Sequence, residues 1–491
     1  MSVKSRFLKD LVVYGFGESL KKLITFLLLP FYTRAITPDE YGVLNTLTTF
    51  LMLIVAVVNC GLDSASAYYY FNTDDEKGKR ELLFTVFILR VITAIPALLL
   101  AYFSKQISQK LFGTPDYSWA VFFTCISIPV TLLLKEQSNI YRFIREGWKY
   151  NFFGVLKSLL GISAGILLVV VMRKSVAGAQ AATLISSFIV VSLSFVLFNR
   201  KRYIYKFSRF HAKQLLSFGF PLLWSSIAVW IFNSSDRLFL LHYKSLEDIG
   251  FYSVGATISQ VILLINMAFQ LSYGVIIFST YSQDKDPNKM HTKETAIELY
   301  NIYLFISIPI AAGIVIFSTF IIPVITTAEY LMSVYAIPFL LFSKIAAHSY
   351  EMMGQGIEFS KKTWHYLWIT ILTAGINISL NFIFIPKFGF IGAAFTTLIS
   401  MLVYWLVKAQ VSQKYFKVPY KMFRILTYFT LAFLITGIVP YSELHFDIKI
   451  HLIFKILLFI SVLPIPLLLG LFRLNDVYRA LNKIITAKLK Q

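Results

Sequence analysis

Long apolar runs separated by short polar connections extend along nearly the whole chain of 491 residues. Each run holds about 20 consecutive, predominantly apolar residues, which is the length that an α-helix needs to cross the hydrocarbon core of a bilayer. We count about fourteen runs, centred near residues 22, 54, 92, 126, 162, 187, 227, 265, 312, 340, 375, 399, 430 and 460. The pattern predicts an all-α polytopic membrane protein with about fourteen transmembrane helices. The first run lacks a small-residue cleavage site after it and is predicted to be a retained span.

The composition agrees with this pattern and argues against several classes of function. The chain is 57% hydrophobic and 14% charged, which is more apolar side chain than a soluble core can bury. No phosphate-binding loop of the type GxxxxGK[ST] is present, and the seven histidines show no metal-ligand spacing. The Asp-X-Asp at 284–286 is followed by Pro287 and Asn288, as in a solvated turn. We therefore expect no cofactor and no metal, and a transporter rather than an enzyme.

Lysine and arginine are distributed unevenly over the connections between the spans. If the N-terminus is cytoplasmic, the cytoplasmic connections carry 31 of these residues and the opposite connections carry eight. This asymmetry follows the positive-inside rule, so the net charge of +21 indicates topology rather than a nucleic-acid partner. We predict that both termini are cytoplasmic.

The chain also contains an internal repeat. The segment VAGAQAATLIS at 176–186 returns as FIGAAFTTLIS at 390–400, with six identities in eleven positions and an offset of 214. The related segments DEYG at 39–42 and EDIG at 247–250 lie 208 residues apart. Offsets that rise along the chain are expected from two related halves with small insertions. Corresponding spans lie six apart, so both copies run the same way through the bilayer.

The repeat predicts the domain organisation. We expect an N-lobe at 1–200 with spans 1–6, a cytoplasmic linker at 201–213, a C-lobe at 214–412 with spans 7–12, and a region at 413–491 with spans 13 and 14 and a cytoplasmic tail. Two parallel six-helix lobes that switch access between the membrane faces are typical of transporters, whose substrate site lies between the lobes near the midplane.

Three segments resemble a known family: LLLPFYTRAITPDEYGVLNTL at 27–47, FGFPLLWSSIAVWIFNSSDRLFLLHYKSLEDIGFYSVG at 218–255 and NFIFIPKFGFIGAAFTTLIS at 381–400. They resemble the polysaccharide-transport flippases (Wzx-type, for O-antigen or exopolysaccharide repeat units) of the multidrug/oligosaccharidyl-lipid/polysaccharide (MOP) exporter superfamily. The resemblance implies a multi-pass protein of the bacterial inner membrane, which moves an undecaprenyl-diphosphate-linked oligosaccharide to the periplasmic leaflet by alternating access. It implies lipid-linked oligosaccharide and membrane lipid as partners, with the polysaccharide polymerase and chain-length machinery as further candidates.

Cations within the apolar runs are the candidate substrate-binding residues, because a charge at the bilayer centre costs roughly 3 kcal/mol and Lys and Arg match a diphosphate. Seven cations lie within the spans: Lys21, Lys22, Arg90, Lys157, Arg237, Lys344 and Lys455. The first six of these, with Arg34 near the outer end of span 1, form the predicted diphosphate-binding set. We expect only three acids within the spans, Glu18, Asp63 and Asp236, and these are the candidate coupling-ion residues. The positive excess favours an anionic substrate.

Several of these candidates have structural alternatives. Arg34 is explained equally well by snorkelling to the interface. Asp236 and Arg237 either pair with other helices across the lobe interface or cap the end of span 7. Arg142, at the inner end of span 4, is either a topology determinant or part of a phosphate-capturing mouth. Lys157 shares a helical face with small residues that serve close helix packing or a cavity wall, namely Gly154, Gly161 and Gly165.

The charges of span 1 share one narrow helical face. Glu18, Lys21 and Lys22 lie on it, and the i,i+4 spacing predicts an ion pair between Glu18 and Lys22 that leaves Lys21 freer for the diphosphate. The alternative is that both lysines anchor the cytoplasmic end of the span in the headgroups.

Two other functions stay open. A multidrug (MATE-like) cation antiporter of the same superfamily is disfavoured by the positive excess within the spans. A membrane-embedded polysaccharide polymerase or glycosyltransferase is disfavoured because the outer loops are short and carry no acidic catalytic motif. The sequence does not determine the sugar repeat unit, the coupling ion or the oligomeric state.

Overall fold

The computed structural model describes residue 15 and residues 17–24, 26–446 and 450–471. Residues 17–24 are helical, and every regular element in the described ranges is a helix. The α-helices after residue 28 are α1 Leu29–Ala35, α2 Pro38–Val58, α3 Leu62–Phe71, α4 Glu76–Tyr102, α5 Ser104–Phe112, α6 Ser118–Phe143, α7 Gly147–Gly165, α8 Ser175–Ser194, α9 Arg209–Tyr243, α10 Leu246–Ser259, α11 Val261–Gln283, α12 Met290–Ile316, α13 Ser318–Ile325, α14 Ile337–Met352, α15 Gln355–Phe359, α16 Trp364–Gln413, α17 Met422–His445, α18 Leu452–Val462 and α19 Ile465–Leu468. The predicted cytoplasmic termini, at 1–14 and 472–491, lie outside the described residues.

Many of these helices have the length and apolar composition of membrane spans. Nine helical stretches in the described ranges pass this test, or ten if the bent pair Ala328–Tyr335 and Ile337–Phe359 forms one span. Helix α16 has 50 residues and changes direction at Gly389, where φ is 56° and ψ is −136°. A helix of that length is more than twice the hydrocarbon thickness, so α16 holds two spans, as the runs centred near 375 and 399 predict. The all-α polytopic membrane fold is confirmed, and the count of fourteen stays a prediction.

The chain divides into two compact units, at 1–253 and 254–491. In unit 1, α6 packs against α4 and α8, and α7 packs against α8. Helix α9 packs against α2, α3 and α4, so the helix that the repeat assigns to the start of the C-lobe makes contacts within unit 1. In unit 2, α14 packs against α16, and α12 packs against α11 and α17. The lobe boundaries drawn from the repeat stay a prediction.

The two copies of one repeated motif meet within unit 1. A Cβ atom on Gly42 would lie 1.9 Å from the backbone oxygen of Leu246, and one on Gly250 would lie 2.1 Å from the backbone oxygen of Pro38. The offset of 208 that relates Gly42 to Gly250 also relates Pro38 to Leu246. The contacts are therefore reciprocal, as in a contact across a two-fold axis. Without a Cβ atom, glycine allows this backbone approach.

Substitution of either glycine should destabilise the protein to a similar extent. We expect Gly42→Ala and Gly250→Ala each to lower the free energy of unfolding by about 1–3 kcal/mol, because the added methyl group overpacks a backbone contact. The double variant should lose less stability than the sum of the two single losses, since both changes open the same contact. Thermal unfolding of the purified protein in detergent measures this. Gly375→Ala is the matched control, because its Cβ atom would meet open space. An unchanged melting temperature for Gly42→Ala would contradict the contact.

Candidate functional site

A cavity of about 720 Å³ in unit 1 is lined by charged and polar side chains from membrane-embedded helices. We call it the N-half cavity. It is formed by the helical segment 17–24 and by α3, α6 and α7, and its lining residues are Glu18, Asp63, Ser64, Ala67, Phe71, Asn139, Arg142, Phe143 and Tyr150. Helix α3 begins directly after Gly61, whose φ of 68° breaks the chain direction after α2. This break places Asp63 in the first turn of α3, where the helix dipole favours a negative charge.

Arg90 forms the centre of a buried network beside the N-half cavity. Its side chain is 1% exposed. Nη2 donates to Asp63 Oδ1 at 2.6 Å, and Nη1 donates to the Leu132 carbonyl at 2.8 Å. Nε lies 3.5 Å from Glu136 Oε2. A buried charge is tolerated mainly when it is paired, so these contacts offset the burial of Arg90, although Arg90 Nε and Glu136 Oε2 form no hydrogen bond with any described residue.

The two acids of this network have further hydrogen-bond donors. Asp63 accepts from the amide groups of Asn59 at 3.2 Å and Asn139 at 2.9 Å. Glu136, which is 2% exposed, accepts from the Tyr203 hydroxyl at 3.3 Å. These donors hold both carboxylates in place. Asp63 borders the cavity, whereas Glu136 lies behind it.

Glu136 corrects the sequence interpretation of the spans. The sequence analysis counts Glu18, Asp63 and Asp236 as the acids within the spans, and Glu136 is not among them. Helix α6 continues to Phe143, because Gln137, Ile140 and neighbouring residues extend its buried face. The prediction that only three acids lie within the spans is wrong. The i,i+3 spacing of Glu136 and Asn139 places both on one helical face, and this sequence feature could have indicated that the helix continues past Lys135.

A second ion pair lies at the N-half cavity, in the first span. Lys21 Nζ lies 2.5 Å from Glu18 Oε1, and the Tyr150 hydroxyl donates to the same oxygen at 2.6 Å. The Lys21 ammonium also lies 4.5 Å from the centroid of the Tyr150 ring, in a cation–π contact. The ion pair in the structure is therefore made by Lys21, one residue before the predicted partner, Lys22.

Lys157 and the glycine face of α7 lie next to polar side chains of the first span and α1. A Cβ atom on Gly154 would lie 2.7 Å from Lys21 Cδ, so this glycine leaves room for the lysine side chain. Gly165 leaves room for Tyr32 in the same way, with 2.4 Å between a Cβ atom and the hydroxyl oxygen. Lys157 is close enough to Lys21 for the two ammonium groups to repel each other. The glycines therefore make space for polar side chains as well as for helix packing.

Four predicted site residues belong neither to the lining of the N-half cavity nor to the charged groups around it. Arg34 is exposed and donates to the Pro30 carbonyl of its own helix at 3.3 Å. Asp236 and Arg237 share one neighbour: the Tyr252 hydroxyl donates to Asp236 at 2.7 Å, and the Arg237 guanidinium lies 5.5 Å from the Tyr252 ring centroid. Lys344 lies in unit 2, on α14.

The charges around the N-half cavity are unequal. Three acids lie at the cavity or in its network: Glu18, Asp63 and Glu136. Three cations are in direct contact with this site: Lys21, Arg90 and Arg142. Three more act on its charged groups electrostatically: Lys22, Lys135 and Lys157. The excess of cations makes the cavity suited to an anion.

The corresponding position in unit 2 is neutral. The repeat also relates AIPALL at 94–99 to SIPIAA at 307–312, at an offset of 213, and this offset relates Arg90 to Tyr303. Tyr303 is fully buried and donates to Asn266 Oδ1 at 3.0 Å, and its ring lies 4.7 Å from that of His348. The buried arginine of unit 1 thus has a neutral, hydrogen-bonded tyrosine as its counterpart in unit 2. No cluster of three or more His, Cys, Asp or Glu suited to a metal ion occurs among the described residues.

Solved membrane transporters share this fold. The lipid II flippase MurJ, in an inward closed conformation, superposes with a TM-score of 0.68 at 19% identity, over 96% of this chain and 98% of that one. An inward-facing multidrug resistance MATE transporter of the MOP superfamily gives a TM-score of 0.60 at 17% identity, over 84% and 94%. At these identities the likeness concerns the fold alone.

Sequence relatives indicate the family. A probable low-salt glycan biosynthesis flippase, Agl15 of Haloferax volcanii, is 22% identical over 84% of this chain and 83% of its own length. Protein 1 of the Lsg locus of Haemophilus influenzae is 27% identical over 62% of this chain and 72% of its own length. Residues 31–335 match the family model described as polysaccharide biosynthesis protein. The predicted resemblance to a polysaccharide family is confirmed, and the chain belongs to the polysaccharide biosynthesis protein family.

Proposed function

We propose that this protein is a flippase for a lipid-linked oligosaccharide carried on undecaprenyl diphosphate, and that it acts in the bacterial inner membrane with both termini in the cytoplasm. Its work is transport by alternating access, without a catalytic step. The family match supports a role in polysaccharide biosynthesis. The relative from Haloferax volcanii and MurJ are both named as flippases, for a glycan pathway and for lipid II respectively.

The observation that carries the proposal is the excess of cations around the N-half cavity. A diphosphate presents about two negative charges and several acceptor oxygens, which Lys and Arg bind through charge-assisted hydrogen bonds. An exporter of cationic drugs needs the opposite charge balance at its binding site. The cavity therefore favours the flippase over the cation antiporter, although both share the fold.

The contacts suggest how the diphosphate is received. Arg142 is exposed at the cavity and is available to a phosphate entering from the cytoplasmic leaflet. Lys21 then exchanges its contact with Glu18 for a phosphate oxygen, while the Tyr150 hydroxyl keeps Glu18 hydrogen-bonded. Arg90 stays in its network and holds Asp63 in position. The membrane potential assists, since moving a dianion outward is worth roughly 4–5 kcal/mol at 100 mV.

This exchange changes the roles of the candidate coupling residues. Asp63 is fixed by Arg90 and two amides, so we assign it a positioning role. Glu18 is the acid whose ion-pair partner leaves when the substrate binds, and it is therefore the coupling-ion residue that we propose. Asp236 lies away from the N-half cavity and has no role in this step.

Deletion of the gene tests the proposal in cells. Lipid-linked oligosaccharide should accumulate in the inner leaflet, and the surface glycan should fall, because the carrier cannot cross the membrane unaided with a charged, hydrated headgroup. Surface glycan is measured by lectin binding, and the lipid-linked precursor by mass spectrometry of the lipid extract. A deletion strain with normal surface glycan and new sensitivity to cationic dyes would instead support the drug exporter.

A further inference from the structure

A second cavity, of about 390 Å³, lies within unit 2 and has no role in the proposal above. We call it the C-half cavity. It lies between α11, α14, α15 and α16, and its lining includes Phe278, Tyr350, Glu351, Glu358, Tyr366 and Lys408. Its volume is in the range of small-molecule sites. The lining combines one ammonium group, two carboxylates and several aromatic rings.

Lys408 is the least expected member of this lining. The sequence analysis counts it among the 31 cations of the cytoplasmic connections, but it lies on α16 and is 5% exposed. Its ammonium lies 4.4 Å from the Tyr366 ring centroid and 4.8 Å from that of Tyr350. A Cβ atom on Gly354 would lie 2.6 Å from Lys408 Cε, so a glycine makes room for it.

The Lys408 ammonium contacts aromatic rings, but these contacts leave its N–H donors without hydrogen-bond acceptors. In the part of the chain that the structure describes, no carboxylate lies within 4.0 Å of Nζ and no acceptor forms a hydrogen bond with it. Two tyrosine faces stabilise its charge but satisfy none of its three N–H donors. Because Lys408 lines the cavity, these N–H donors are available to a ligand that enters it.

The carboxylates supply the complementary acceptors. Glu358 accepts from the Tyr366 hydroxyl at 3.0 Å, and Glu351 lies 3.2 Å from His348 Nδ1 with its side chain 39% exposed. Each carboxylate has about four lone-pair sites and so retains acceptor capacity. The lining thus offers N–H donors and carboxylate acceptors side by side. A neutral ligand with several hydroxyl groups accepts from the ammonium and donates to the carboxylates at the same time.

Aromatic rings give the cavity a surface for the apolar face of such a ligand. Phe278 lines the cavity with its side chain 48% exposed, and Tyr350 and Tyr404 pack with their ring centroids 4.2 Å apart. The face of an aromatic ring is electron-rich, and the C–H groups on one face of a pyranose carry a slight positive charge. We propose that the C-half cavity binds a neutral sugar ring. The identification of that sugar with the glycan of the lipid-linked substrate rests on the proposed function.

Direct binding of soluble sugars tests the inference without transport. The probes are cellobiose, lactose, maltose and N,N′-diacetylchitobiose, with an unsaturated chondroitin disaccharide as the anionic comparison. Saturation-transfer NMR is recorded on the full chain in nanodiscs. At least one neutral disaccharide should receive saturation from the protein. Phe278→Ala and Lys408→Met should each reduce the transfer about fivefold or more, a loss of roughly 1 kcal/mol in binding.

Two controls keep the result decisive. Lys414→Met changes an exposed lysine that follows α16 and should leave the transfer unchanged. Phe278→Ala changes an exposed ring, so its loss of binding cannot be attributed to unfolding. The inference is overturned if none of the four neutral probes binds, if the variants bind them as the wild type does, or if the anionic probe is preferred. Sugar binding that persists in a protein without flippase activity would uphold this site and reject the proposed function alone.

Discussion

Replacement of Arg90 by Met should remove most of the folded protein from the membrane. The variant leaves Asp63 and Glu136 without their cation, and Glu136 is 2% exposed. Breaking a buried ion pair by removing one partner costs about 3–5 kcal/mol, which is a large part of the stability of a typical protein. We expect a severe loss of membrane abundance, measured by immunoblot, and a lower melting temperature for the protein that can be purified.

The neighbouring acids provide the control for this prediction. The triple variant Arg90→Met, Asp63→Asn, Glu136→Gln should recover much of the abundance, because neutral amides are cheaper to bury than unpaired carboxylates. Arg90→Lys should recover little, since one ammonium cannot reach two carboxylates and the Leu132 carbonyl in the geometry of a guanidinium. Lys110→Met, at an exposed position on α5, should be neutral. Normal abundance of Arg90→Met would contradict the structural role.

Replacement of Lys21 by Gln should reduce glycan export strongly at normal abundance. The Lys21–Glu18 pair is partly exposed and contributes about 0–1 kcal/mol to stability, so the variant should fold. A charge-assisted hydrogen bond to a phosphate is worth about 1.5–3 kcal/mol, and its loss should lower export roughly 10-fold or more. The surface glycan per molecule of flippase, from lectin binding and immunoblot, measures the effect.

Conservative and distant substitutions separate binding from anchoring. Lys21→Arg should export better than Lys21→Gln, because it retains the charge. Lys110→Gln removes an exposed cation from α5, away from the N-half cavity, and should export normally. If Lys21→Gln is abundant and exports at the wild-type rate, the lysine is only an interfacial anchor.

Much of the architecture could be predicted from the sequence, because hydrophobic run length determines membrane spans. The same reasoning selected Glu18, Lys21, Asp63, Arg90 and Lys157, since each is an ionisable group inside an apolar run. It could not predict which of them meet. Arg90 and Asp63 are 27 residues apart on different helices, and the choice of Lys21 over Lys22 depends on where Tyr150 lies.

The residues that sequence analysis missed lie at the polar ends of spans. Glu136 and Lys408 were assigned to the edge of an apolar run or to a connection, because a hydropathy pattern ends where charges begin. The helices continue past those charges, to Phe143 and Gln413. The glycines Gly42 and Gly250 were found as parts of a repeat, but their reciprocal backbone contact depends on the crossing of two helices.

Reconstitution tests the central claim, that this chain moves a diphosphate-linked glycan across a bilayer. Purified protein is placed in vesicles with undecaprenyl-diphosphate-linked disaccharide in both leaflets, and a membrane-impermeant glycosidase digests the sugar that reaches the outside. The account predicts that vesicles with the wild-type protein lose sugar from both leaflets, whereas Lys21→Gln vesicles lose little beyond the outer-leaflet share. Digestion of only the outer-leaflet share with the wild-type protein, equal to that of protein-free vesicles, would contradict the account.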